Sequence, residues 1–381
     1  MTTTLKTHLY DLHRGLKARF VSYGGYEMPL QYPEGVLQEH KHTRASCGVF
    51  DVSHMGQICI SSVSESLEDL AIAIESLMPA DLVSLGENRQ CYSFLTNTSG
   101  GVVDDLMITK RADHFFLVSN ASRKSLVLEH LRSSLPKKFE ITLLNDRALF
   151  AVQGPLSGRV MSQFSSELSD MNFLDFKVVS LAGSECWISR SGYTGEDGFE
   201  ISVENSLANS LFKDFLGCKE SKPVGLAARD SLRLEAALCL YGNDLSENIT
   251  PVEANLTWAV HKARRLGGSR MGGFLGEKKI LDQLELGSSV KRVGLLPTGR
   301  APMRAGCKIF SEMNSRSDIG SVSSGGFSPT LNKPISMAIL DSAFSKIGTK
   351  VFVELRGNRL MAEVTSMPFV AHKYKSKKGN S

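Results

Sequence analysis

The sequence predicts an α+β protein whose C-terminal part is a separate all-β unit. Three observations carry this. Through the first two-thirds of the chain, helical stretches alternate with short strand-like runs broken by Asn, Ser and Gly, the pattern of antiparallel sheets rather than a doubly wound one. Beyond residue 290, apolar runs recur about every ten residues with Gly, Pro and Asn between them, the spacing of a barrel or sandwich. The length, 381 residues, calls for two or three domains at roughly 100–200 residues each.

The elements follow in order. Residues 34–47 read as a helix, with Gly48 placed to stop it. VFDVSHMGQICI has strand-like alternation, and 67–77 is a second helix. CYSFLTN, GGVVDDLMITK and HFFLVSN are three strands. Residues 123–135 are helical, and ITLLND and ALFAVQG are strands. Pro155 sits at the first turn of another helix, where a missing N–H costs nothing. ECWISRSGYTGEDGFEISVE reads as two strands around a Gly-rich tip, followed by helices over 206–216 and 224–240. Residues 267–276 are a Gly-rich loop, and VGLL, CKIF, IGSVSSGG, SMAIL, KVFVEL and MAEVTS are the late strands. The chain therefore divides into a body over 1–265, a connecting segment over 266–289, a β-domain over 290–374 and a basic tail over 375–381.

Composition excludes several classes. With 42% hydrophobic and 22% charged residues the chain is neither disordered nor collagenous. A net charge of +4 is too mild to argue for nucleic acid, and no apolar run approaches the ~20 residues that span a bilayer. The seven cysteines are odd in number and none lie two residues apart, which fits neither a disulfide framework nor a zinc ribbon and points to a reducing compartment. The first twenty residues lack the apolar core of a secretory signal. They are basic, hydroxyl-rich and poor in acids, as in the remnant of a mitochondrial targeting segment or a basic first helix.

Three constellations could carry chemistry. Gly100-Gly101 turns the chain into a strand that opens with Asp104 and Asp105, whose side chains should face opposite ways. A carboxylate entering an apolar strand needs partners, whether a local turn hydrogen bond or a ligand. In Ser191–Glu200, three glycines would let backbone approach a ligand, Tyr193 offers a flat face, and Glu200 could accept two parallel N–H bonds from a guanidine or aminopyrimidinone; an ordinary exposed hairpin reads the same way. Arg229 and Arg233 share a helix face, for a ligand or for ion pairs with Asp230 and Glu235 on a solvated helix. His40, His42 and His54 complete no metal set, so no metal is expected. Residues 266–276 lack the Gly-Lys-Ser/Thr ending of a phosphate loop, no G-x-G-x-x-G follows an early strand, and no G-x-S-x-G elbow occurs, so no flavin or nicotinamide is expected.

Taken together, Phe50-Asp51-Val52-Ser53-His54-Met55, Thr96-Asn97 with Gly100–Asp105, Val152-Gln153-Gly154-Pro155, Gly192–Gly198, Gly225–Ala236 and Met367-Pro368-Phe369-Val370 resemble one family over nearly the whole chain, the aminomethyltransferases (T-proteins) of the glycine cleavage system. The resemblance implies a three-lobed clover around a channel, with two interleaved lobes in the body and a C-terminal β-barrel. It implies transfer of the methylene of an aminomethyl group, carried on the lipoyl arm of H-protein, to tetrahydrofolate as co-substrate. The products would be 5,10-methylenetetrahydrofolate, ammonia and dihydrolipoyl H-protein. The place would be the mitochondrial matrix of a eukaryote, to which the basic N-terminus tips the reading, or the cytoplasm of a bacterium.

By match to the family's motifs, Asp105 rather than Asp104 is the catalytic carboxylate. Glu200 matches the residue that pairs with the pterin edge, and Arg229 the folate contact beside it. Tyr193, Tyr92 and Met55 match residues along the folate, Asn120 a polar contact at the pterin, and Tyr374 a contact from the C-terminal lobe. Phe116 stands where many members have Tyr. The sarcosine and dimethylglycine dehydrogenases carry a flavin domain before this module, and the iron–sulfur-assembly relatives a Lys-Gly-Cys-Tyr-x-Gly-Gln signature; neither is expected here. Lys373, Lys375, Lys377 and Lys378 are expected near the channel mouth, steering anionic folate or an acidic carrier.

Overall fold

Four β-systems organise residues 4–376, which the computed structural model describes. A three-stranded N-terminal sheet has the order Leu5–Lys6, Tyr26–Gln31, Arg19–Tyr23. A six-stranded sheet runs Phe176–Leu181, Ser184–Ser189, Gly198–Glu204, Arg147–Gln153, Cys47–Asp51, Ser221–Pro223. A five-stranded sheet runs Arg89–Thr96, Val102–Lys110, His114–Ser119, Gly56–Ser62, Phe139–Leu143. The late strands close into a six-stranded antiparallel barrel in the order Val290–Pro297, Lys333–Asp341, Gly320–Ser328, Lys308–Phe310, Lys350–Leu355, Asn358–Thr365. The fold is α+β with a C-terminal barrel, as the strand spacing predicts. Among the described residues, no helix is long and apolar enough to cross a membrane.

Local sequence explains the elements. Ser66 caps helix Leu67–Glu75 by accepting a 3.1 Å hydrogen bond from the Asp69 amide, and Leu70 and Ile74, four apart, bury one face on the five-stranded sheet. Helix Asn205–Gly217 buries Ala208, Leu211, Phe212 and Phe215 against Phe150 and Phe199 of the six-stranded sheet. In the barrel, Leu295, Ile309, Val351 and Val353 fill the interior.

Some boundaries differ from expectation. The first long helix is Val36–Ala45, and Gly48 does not stop it. Gly48 lies inside strand Cys47–Asp51, where a Cβ would come within 2.6 Å of Thr43 Oγ1, so the glycine serves close packing. VFDVSHMGQICI is two strands, Cys47–Asp51 and Gly56–Ser62, in different sheets. The expected helix over 224–240 ends at Glu235, because Ala237 turns the chain with φ +55°. The stretch after Pro155 forms helix Ser157–Ser162. Helix Glu277–Leu286 lies in the connecting segment, and the hairpin Arg19–Tyr23/Tyr26–Gln31 lies mostly in a stretch to which the sequence assigned no element.

Helix Leu226–Glu235 is where the lobes meet, packing on helix Val36–Ala45, strand Tyr26–Gln31 and barrel strand Gly320–Ser328. It is not the solvated helix that its charges allowed. Arg233 is buried and bonds Asp230, Asp244 and barrel Ser324, while Glu235 accepts from His40, Arg44, Ser328 and Thr330. Burial alone would raise the Glu235 carboxyl, but His40, Ser328 and Arg44 outweigh it and hold it at about 2. Asp51, bonded to His13, Thr7 and Ser53, is likewise held at about 2 against the upward push of burial.

Both carboxylates are ionised more easily in the folded chain than in the unfolded one. Their contribution is therefore complete above the ordinary carboxylate range, about pH 4–4.5, and is lost as pH falls toward 2. Thermal unfolding followed down to about pH 2 should show a midpoint that drops steeply below about pH 4.5 from its value above that range. Glu235→Gln should lower the plateau and flatten the drop; an unchanged drop would mean that Glu235 does not tie the lobes.

Candidate active site

The turn before the aspartates is built by Asn97. Its Oδ1 accepts from the Ser99 and Gly101 amides at 2.9 Å each, and its Nδ2 donates to the Glu247 carbonyl at 2.9 Å. Gly100 has φ +78°, and a Cβ on Gly101 would lie 1.7 Å from the Glu247 carbonyl oxygen. The local turn bond is thus supplied by the asparagine, which leaves both aspartates for other partners. A β-bulge between Leu95 and Thr96 shifts the register as strand Val102–Lys110 begins.

Asp104 is fully buried and Asp105 half-buried, yet one side chain reaches both. Asn120 Nδ2 lies 2.9 Å from Asp104 Oδ1 and 2.8 Å from Asp105 Oδ1, while the Asn120 amide donates to Asp104 Oδ2 at 3.1 Å. The Tyr92 hydroxyl donates to Asp105 Oδ2 at 3.0 Å. Burial pushes the Asp105 carboxyl up to about 6, with Tyr92 and Asn120 restraining the rise. Burial, and then the charge of Asp105, raise Asp104 further. Asp105, the more open member, is therefore the one shifted least from its charged form, and Asp104 the one shifted further toward its neutral form.

A second group forms around the Gly-rich tip and the helix start. Glu200, opposite Ala151 and Ser189 in the six-stranded sheet, accepts from Ser191 Oγ at 3.2 Å. Burial raises its carboxyl, and the Arg229 charge opposes the rise. The Arg229 guanidinium sits 4.8 Å from the Tyr193 ring centroid, and its Nη1 is buried without a hydrogen-bond partner among the described residues. Burial lowers the Arg229 pKa, with Glu200 and Tyr193 opposing. The Tyr193 hydroxyl donates to the Cys239 carbonyl, and Cys239 belongs to the apolar cluster on which Tyr92 packs. The two groups are therefore joined through one wall. A partner-poor carboxylate beside an orphaned guanidinium nitrogen fits a flat ligand edge with both donors and acceptors.

Residues 9–264 match the family model described as the GCVT N-terminal domain, and residues 291–371 that of the glycine cleavage T-protein C-terminal barrel domain. The chain belongs to the glycine cleavage T-protein family. Among its relatives, the mitochondrial aminomethyltransferase of Dictyostelium discoideum is 42% identical, covering 97% of this chain and 93% of the relative. The mitochondrial aminomethyltransferase of Homo sapiens is 40% identical, covering 97% and 91%. The crystal structure of the glycine cleavage system aminomethyltransferase T from Bartonella henselae superimposes with a TM-score of 0.91 at 39% identity, covering 98% of this chain and all of the other. As a T-protein family member the chain is an enzyme of glycine catabolism with aminomethyl transfer as its activity, and the family uses tetrahydrofolate as substrate.

Within this T-protein fold the other expected residues are placed as follows. Met55 packs at the edge of the cluster holding Phe50, Val118 and Ala228. Tyr374 stacks flat on Phe173, with centroids 4.1 Å apart and an interplanar angle of 4°, and among the described residues no hydrogen bond ties it to the two groups above. Phe116 lies in the core, edge-on to Trp187 at 5.2 Å.

The glycines of the tip do not make room for a ligand. A Cβ on Gly192 or Gly198 would strike the buried Gln153 amide, at 1.9 and 2.3 Å, and Gly195 with φ +77° packs on Ala236. Gln153 in turn donates to the Ser191 carbonyl and accepts from Thr194 Oγ1, fixing the tip. Lys373 pairs with Glu196 at 3.0 Å, and Lys375 donates to the Ser169 carbonyl, a bond that leaves its charge in place. Lys377 and Lys378 lie outside the described residues.

Among the described residues no cluster of His, Cys, Asp and Glu could hold a metal ion; His40 bonds Ser231 and Glu235, and His42 faces the Cys47 and Glu220 carbonyls. Sequence reasoning missed Trp258, whose ring stacks on Tyr92 at 5.4 Å, and Ser191, the hydroxyl on Glu200. Trp258 had no motif to mark it. Ser191 had a signal, since it begins the Gly-rich stretch that ends at Glu200.

Proposed function

We propose that this chain, in the mitochondrial matrix, takes the aminomethyl group from the lipoyl arm of H-protein and passes its methylene to tetrahydrofolate. The products are 5,10-methylenetetrahydrofolate, ammonia and dihydrolipoyl H-protein. The observation that most supports this reading is Asp105. It is a half-buried carboxylate, clamped by Tyr92 and Asn120, and the member of a buried pair shifted least from its charged form. In the reaction the carbon–nitrogen bond breaks, ammonia leaves with the electron pair, and the carbon becomes a cation stabilised by the carrier sulfur. One folate amine supplies a pair to that carbon and gives up its proton. The carbon–sulfur bond breaks and the sulfur takes a proton to leave as the thiol. The second folate amine closes on the resulting iminium carbon and gives up its own proton. A fixed anion beside the carbon stabilises the cation and orients or takes the proton of the attacking amine. Glu200 and Arg229 would hold the pterin edge, with Tyr193 and Tyr92 along the folate, Asn120 and Met55 near the pterin, and Tyr374 contributing from the C-terminal side.

Calorimetric titration of tetrahydrofolate into the full chain tests the folate half of the reading. Saturable binding at one site per chain is expected. Absence of binding would remove Glu200 and Arg229 from any folate role.

A further inference from the structure

Trp258 is 63% exposed, yet its indole is stacked 5.4 Å from the Tyr92 ring at 25°, and Tyr92 is bonded to Asp105. An aromatic surface thus runs from solvent to the reactive carboxylate across one intervening ring. Among the described residues, no aromatic or hydrogen-bond contact of Trp258 involves Glu200, Arg229 or Tyr193.

The exposure is built in. Trp258 lies in a short 3-10 turn, Thr257–Ala259, between buried Leu256 and Val260. Arg265 grips the Thr257 and Val260 carbonyls at 2.5 and 2.8 Å, and the His261 amide bonds the Pro79 carbonyl at 2.9 Å. Arg264 and Arg270 fasten the following loop to Glu75 and Asp81. The indole is held rigidly outward at no further ordering cost, the condition under which an aromatic side chain contributes most to binding.

We propose that Trp258 is the platform on which the carrier's arm lies as it delivers the aminomethyl group to Asp105. This rests on the function proposed above and adds the residue that recognises the arm. The arm is an alkyl chain ending in sulfur, and both parts suit an indole face: the methylenes by apolar burial, the sulfur by its polarisable contact with an aromatic ring. The arm's approach over Trp258 would not compete with the ligand edge at Glu200 and Arg229.

The test is steady-state ammonia release from aminomethylated H-protein at saturating tetrahydrofolate, for the native chain, Trp258→Ala and Trp258→Phe. Truncating a tryptophan of this kind should raise KM for the carrier by about 30-fold or more. Turnover at saturating carrier and the calorimetric affinity for tetrahydrofolate should stay close to those of the native chain. Trp258→Phe should restore most of the loss, since it keeps a ring face. A native KM in Trp258→Ala overturns the proposal, as does a loss confined to kcat, which would make Trp258 only a support for Tyr92. If the native chain itself releases no ammonia, the proposed function falls, and this inference with it. Native release combined with an unaltered Trp258→Ala KM sinks this inference alone.

Discussion

Asp105→Asn should cut turnover by ~10²–10³, the usual cost of removing one preorganised electrostatic group. The asparagine keeps the volume and can still accept from Tyr92, so the fold and most folate affinity should remain. What disappears is the charge beside the carbon that becomes cationic. The pH profile gives an independent readout. Asp105 titrates at about 6 and is active as the anion, so kcat/KM should fall as pH drops through that value. In Asp105→Asn that acid limb should vanish along with the rate. Asp104→Asn should behave differently. Burial and the Asp105 charge push the Asp104 carboxyl upward, and it accepts from the Asn120 amide and side chain, so its loss should lower thermal stability more and turnover less. A larger rate loss in Asp104→Asn would reverse the roles of the two carboxyls.

Glu200→Gln should weaken tetrahydrofolate binding by roughly 5–150-fold, the equivalent of about 1–3 kcal/mol for a buried group left mispaired. Among the described residues Glu200 has one donor, Ser191, and it faces the Arg229 charge, so an incoming pair of N–H donors has lone pairs to meet. An amide offers one acceptor and turns an NH₂ toward those donors. Arg229 would lose the charge that offsets its own burial, so the variant should also be less stable. Calorimetry reads the first effect and thermal unfolding the second. Unchanged affinity in a folded Glu200→Gln chain would place the carboxylate outside the ligand site.

How much was legible in the sequence depended on which forces set each feature. The six barrel strands were readable because each is short, apolar and bounded by turn residues, so local pattern and tertiary role agree. The early hairpin was not, because Arg19–Tyr23 is mostly exposed and carries little alternation; its pairing with Tyr26–Gln31 is what makes it a strand. At the site, the spacing of Gly100, Gly101 and Asp105 was visible, but the convergence of Tyr92 and Asn120 on Asp105 depends on strand pairing across 13 and 15 residues. Alternation put Asp104 and Asp105 on opposite faces, and the Asn120 amide nonetheless reaches both carboxyls. The glycines of the tip were misread, because the group that needs their missing side chains is Gln153, about forty residues earlier. The tail lysines read as free charge, and a tertiary ion pair with Glu196 takes up one of them, Lys373.

The central claim is that the Asp105 carboxylate drives aminomethyl transfer to tetrahydrofolate. Its most direct test is ammonia release from aminomethylated H-protein, measured with and without tetrahydrofolate across pH for the native chain and Asp105→Asn. The account predicts release by the native chain that requires tetrahydrofolate and falls off below about pH 6, and that Asp105→Asn lowers by ~10²–10³ with no acid limb left. Native release indifferent to tetrahydrofolate, or a folded Asp105→Asn chain that keeps the native rate, would contradict it.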